Sequence, residues 1–96
     1  MKDNLINNIQ KFINSPFKYS ELLIFLDKQK DFLLQESILD KTEECEYNAI
    51  WDTIMDLQKV YEFANKSNLI IGTKYSVLTL FNYNYKCRTE SKKTIV

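Results

Sequence analysis

The 96-residue chain reads as an all-α protein, a small bundle of three long helices plus a short fourth element. Three observations carry that expectation. Residues 47–64 place Tyr47, Ile50, Ile54, Leu57, Tyr61 and Ala64 at alternating steps of three and four, and a helix turning about 100° per residue gathers them on one face. One Gly and one Pro are too few for the closely spaced turns of a β sandwich or barrel. A hydrophobic content of 45% with 14% aromatics is enough to build a core. At this length about two-thirds of the extended-chain surface can be buried in one domain, here 1–96.

Leu5, Ile6, Ile9, Phe12 and Ile13 predict an amphipathic first helix over 3–14, with Asp3 as N-cap or first-turn acid. Ser15-Pro16 ends it, because the residue before a proline is pushed out of the α region. Ser20, followed by Glu21, opens a second helix. Leu22, Leu23, Phe25 and Leu26 begin its buried side, and Phe32, Leu33 and Leu34 resume it after the polar stretch 27–31. One continuous helix to about Gln35 is expected. Residues 37–44 form the connection, with Asp40 or Thr42 capping the third helix, which is the periodic stretch 47–64. Trp51 widens its apolar stripe, and Asn65 to Asn68 terminate it.

Residues 73–85 read two ways. As a helix capped by Thr73, they gather Val77, Leu78, Phe81 and Tyr85 within about 100° of arc. As a strand, they put Tyr75, Val77, Thr79, Phe81, Tyr83 and Tyr85 on one face, giving an α+β alternative with a C-terminal hairpin from 69–85. The aromatics favour the strand. That strand would find only Leu69 to Ile71 and Thr94 to Val96 to pair with, however, and an isolated hairpin is marginal in water. A fourth helix is therefore expected, followed by a frayed basic tail over 88–96.

The composition also excludes chemistries. Without histidine there is no Ser-His or Cys-His nucleophile pair, no imidazole base and no His-containing zinc site. One Gly leaves no phosphate-cradling loop. Cys45 and Cys87 lie far apart and form no CxxC motif. No catalytic residue, metal or cofactor is expected, and Asp52 and Asp56, one turn apart, read as a solvated helix face rather than an acid–base pair. Lys2 and Asp3 precede no continuous apolar h-region, and the longest strictly apolar run, Leu22 to Leu26, is too short to span a bilayer. The expectation is a cytoplasmic protein with reduced thiols and no membrane partner.

Charge is polarised along the chain. Residues 36–58 carry a net −6, against +1 before them and +5 after them, within an overall balance of zero. Glu43, Glu44 and Glu46 sit where a helix start favours acids. Together with Asp52 and Asp56 they form an acidic segment able to steer a basic partner. On the face opposite the Tyr47–Ala64 stripe, Phe63 falls out of pattern beside Asp52, Asp56 and Lys59, flanked by Met55 and Glu62. Either the bundle covers this side and buries Phe63 and Met55, or it is a contact patch in which charges steer and the aromatic anchors. Tyr83, Tyr85, Lys86, Arg88, Lys92 and Lys93 interleave aromatics with cations as a nucleic-acid surface would. A neutral chain without a basic helical stripe disfavours that use.

Three stretches resemble, in type and order, the small helical immunity proteins of bacteriocins, the colicin D immunity type in particular. They are Leu5-Ile-Asn-Asn-Ile-Gln-Lys-Phe-Ile13, then Phe17-Lys-Tyr-Ser-Glu-Leu22, then an acidic segment leading into Ile50-Trp-Asp-Thr-Ile-Met-Asp-Leu57. The resemblance covers about residues 4–85. It implies an all-helical inhibitor that blocks a cationic nuclease toxin through acidic side chains, with Glu43, Glu44, Glu46, Asp52 and Asp56 as the toxin contacts. The expected function is stoichiometric binding to another, basic protein, as an immunity protein, antitoxin or phage-encoded inhibitor would bind, with Phe63 as a further contact. The alternative is a homo-oligomeric module in which the aromatic stripe or Phe63 builds a homodimer.

Overall fold

A computed structural model describes residues 2–38, 43–72 and 74–94, and these form α1 (Lys2–Asn14), α2 (Tyr19–Ile38), α3 (Glu44–Lys66) and α4 (Val77–Thr94). α3 is the spine. It packs most extensively against α4 and α2, which flank it, while α1 lies across the three and touches each of them. The result is an elongated bundle of 44 × 27 × 19 Å.

Local chemistry explains each boundary. α1 stops at Ser15, whose hydroxyl donates to the carbonyl of Phe12 just before Pro16. α2 stays helical through its polar middle because that stretch leans on α3: Asp27 accepts from Gln58 at 2.7 Å, and the Lys30 ammonium lies 5.7 Å from the centre of the Trp51 ring. α3 starts where the extended Glu43 turns its carboxylate onto the backbone N–H groups of Cys45 and Glu46, at 2.8 and 3.0 Å. It ends at Lys66, and just beyond it Asn68, with a φ of 53°, lets the Leu69 N–H return to the Ala64 carbonyl at 3.0 Å. Asparagine is one of the few residues that adopts this left-handed turn at low cost.

The stripe of α3 is the centre of the core. Ile50, Ile54, Leu57, Tyr61 and Ala64 are buried, and Tyr47 and Trp51 at its margin are half-buried. Around them close Ile9 and Ile13 of α1, Leu22, Leu26 and Leu33 of α2, and Val77 and Phe81 of α4.

The all-α expectation holds, but the expected short fourth element does not. α4 has 18 residues, more than the 13 of α1, and the segment 88–94 expected as a frayed tail is its continuation. The hairpin alternative over 69–85 does not form, and no strand occurs among the described residues. Burial of Val77 and Phe81 against α3 outweighs the strand preference of the aromatics, whose exposed members Tyr83 and Tyr85 contribute little to the core. α4 opens three residues later than expected, at Val77 behind Ser76 instead of behind Thr73, with the Ser76 hydroxyl accepting from the Thr79 N–H at 3.3 Å. The expected caps Asp40, Thr42 and Thr73 lie outside the described residues.

Candidate protein-binding surface

Large apolar side chains stand exposed at the connector between α3 and α4. Ile70 is 94% exposed, Phe63 on the last turns of α3 is 63% exposed and Leu69 is half exposed. The backbone that presents these side chains is held at several points. The Asn68 turn folds the connector back over α3, and the Ile71 N–H donates to the Tyr19 hydroxyl at 2.9 Å. Lys74 donates to the Asn14 carbonyl at 2.7 Å, closing the end of α1. Gln10 of α1 completes the anchorage. Its carbonyl oxygen accepts from the Val77 N–H at 2.8 Å and its amide nitrogen donates to the Tyr75 carbonyl at 3.0 Å. An α1 side chain thus caps the start of α4.

Between connector and helix lies a groove of about 370 Å³, lined by Lys59, Val60, Phe63 and Ala64 of α3 and by Leu69, Ile71 and Tyr75. Its inner wall leans on an aromatic cluster. Tyr75 meets Tyr61 edge-on with centroids 6.1 Å apart, and Tyr61 is itself packed by Phe17 and Tyr19 at 5.7 and 5.6 Å. Burial and the neighbouring Tyr75 and Tyr19 phenols push the Tyr61 hydroxyl above its ordinary pKa. An adjoining hollow that includes Pro16, Phe17, Tyr19 and Ile70 shares Ile71 with the groove, so the apolar surface continues around this end of the bundle.

The six contact residues expected from the sequence fall in three settings. Glu43 is consumed as the cap of α3. Glu44 is exposed beside it, and Glu46 is half-buried next to Phe81 and Tyr85. Asp52 and Asp56 face α4: the Arg88 guanidinium donates to both Asp52 oxygens, and Asn84 donates to Asp56 at 3.2 Å and to Thr53 at 3.1 Å. The Asp52 hydrogen bond holds Arg88 even further above its already high pKa. Phe63 shares their side of α3 and is exposed because, in the antiparallel register set by these pairs, α4 begins opposite it and the connector takes over. Met55 is half-buried against Lys30.

Acids and aromatic therefore do not form one patch. From Glu46 to Phe63 the rise along α3 is about 25 Å. The walls of the groove contributed by Leu69, Ile71 and Tyr75 have little signature in the sequence beyond an apolar triplet next to Gly72. Tyr83 and Tyr85, two residues apart on α4, point about 200° from one another and do not line up as a stacking platform. Among the described residues no helix is long and apolar enough to cross a membrane, and no group of three or more His, Cys, Asp or Glu side chains converges. Cys45 is buried and Cys87 exposed, both as free thiols.

No protein-family model, characterised protein or solved structure matches the chain.

Proposed function

We propose that this protein works by stoichiometric binding to another protein, in the manner of an immunity protein, antitoxin or phage-encoded inhibitor, and that the contact is built on Phe63 and the groove beside it. The supporting observation is the pinned connector. The backbone that presents Leu69 and Ile70 is fixed by hydrogen bonds to Tyr19, Ala64 and Gln10. A preformed apolar surface binds without the ordering cost a floppy loop would carry. Of the acidic residues, Asp52 and Asp56 serve the α3–α4 seam and Glu43 serves a helix start, so the acidic segment contributes to folding first.

The test compares wild type and Phe63→Ser as bait in extracts of the source cell, followed by titration of the purified captured protein. A one-to-one complex with wild type, weakened at least about tenfold by Phe63→Ser, supports the reading. A complex unaffected by Phe63→Ser but lost in Glu44→Lys/Glu46→Lys moves the contact to the acidic end of α3.

A further inference from the structure

The groove has a charge sign as well as a shape. Lys59 is the one charged residue in its lining, and it takes part in no ion pair among the described residues. From Lys59 to Ser76 the described chain carries three lysines against one glutamate, and that glutamate, Glu62, lies 3.6 Å from Lys66. The rest of the lining is aliphatic or aromatic. An occupant therefore gains by inserting a large apolar side chain between Phe63 and Tyr75 and by bringing a carboxylate to Lys59, and it loses by bringing a second cation.

We propose that the groove recognises a partner segment in which a bulky aliphatic or aromatic residue is flanked by Asp or Glu. This rests on the binding function argued above and adds the chemistry of the partner. The sign is opposite to that expected from the acidic stretch of α3, because the acids sit at the far end of that helix or face α4.

The experiment is selection of a random dodecapeptide display library on the intact protein, followed by solution titration of the selected peptides. Selected sequences should place Asp or Glu next to Leu, Ile, Phe or Trp. Their affinity should drop at least about tenfold in Phe63→Ser, and Lys59→Glu should shift selection towards Lys and Arg. Wild-type selection rich in Lys and Arg, or acidic binders indifferent to Lys59→Glu, overturns the proposed chemistry while leaving a protein-binding role intact. Binders indifferent to Phe63→Ser remove the groove from both. Two further measurements count against a peptide occupant: binding to vesicles of phosphatidylserine and phosphatidylcholine that is lost in Ile70→Ser, and a concentration-dependent dimer that dissociates in Phe63→Ser.

Discussion

Arg88 holds Asp52 with both arms of its guanidinium, Nε at 2.7 Å from one carboxylate oxygen and Nη2 at 2.8 Å from the other. This pair joins α4 to α3 across the sequence span that carries most of the acidic charge. Both side chains are partly solvated, so the contribution is that of a well-formed surface bridge, about 1 kcal/mol. Asp52→Asn and Arg88→Met should each lower the urea midpoint by a similar amount, and the double variant should be little worse than either alone. Additive losses in that cycle would mean that the two residues act separately.

Half-buried Gln10 is expected to matter more than a surface glutamine usually does. Gln10→Ala removes one of the two side-chain acceptors at the start of α4 and the donor to the Tyr75 carbonyl together, at a cost of about 1–2 kcal/mol. Gln10→Glu keeps the acceptor for Val77 but sets a carboxylate oxygen against that carbonyl, so it should recover only part of the loss. Amide exchange at Val77 and Leu78 would report the freed helix start.

Thr53 and Asn84 are the buried polar pair of the α3–α4 seam, with the Thr53 hydroxyl donating to the Ala49 carbonyl at 2.7 Å and accepting from Asn84. Thr53→Val should destabilise by about 1–2 kcal/mol, because the Asn84 amide loses a buried acceptor. Thr53→Ser, which keeps the hydroxyl, should cost less than that. Equal losses in the two would mean that the γ-methyl, which Ser lacks and Val keeps, matters as much as the hydrogen bonds of the hydroxyl.

Tyr61 sets an alkaline limit. Its phenol, 2% exposed, titrates above the ordinary value near 10 in the folded state, and the unfolded phenol does not. Between those two values the folded state binds more protons, so stability present below pH 10 falls as pH rises through the window. Urea midpoints measured from pH 8 to 10.5 should decline less steeply in Tyr61→Phe than in wild type.

Phe63→Ser should leave the fold in place. The ring is mostly in water, so the change in stability is expected within about 0.5 kcal/mol, whereas Ile54→Ala in the buried stripe should cost about 3 kcal/mol. Denaturation curves of the two variants, run side by side, separate a surface residue from a core residue on the same helix.

The part of the fold legible in the sequence is the part that depends on local periodicity. The stripe from Ile50 to Ala64 is buried as its spacing requires, and the proline, Ser20 and Asn68 signals bracket the helices to within a few residues. α4 was less legible. The arc containing Leu78 and Tyr85 is only partly its buried side, because the long-range bonds of Asn84 and Arg88 rotate the helix so that Asn84 faces α3 while Leu78 and Tyr85 meet solvent. Of the candidate site, Phe63 was visible as an aromatic on a polar face. The opposing wall was not, since it depends on a turn at Asn68 and on hydrogen bonds from residues some fifty to sixty-five positions away, to Tyr19 and Gln10.

The two cysteines supply a clock for the seam. Cys87 lies on the surface of α4 and should take a maleimide well before Cys45 does, yielding a singly tagged protein without mutagenesis. Cys45, shielded in the first turns of α3 and close enough to Arg88 to influence it, can react only when that end of the bundle opens. The slow second modification therefore times transient opening at the N-terminal end of α3. A bound partner that slows it would be stabilising α3 at a distance from its own contact.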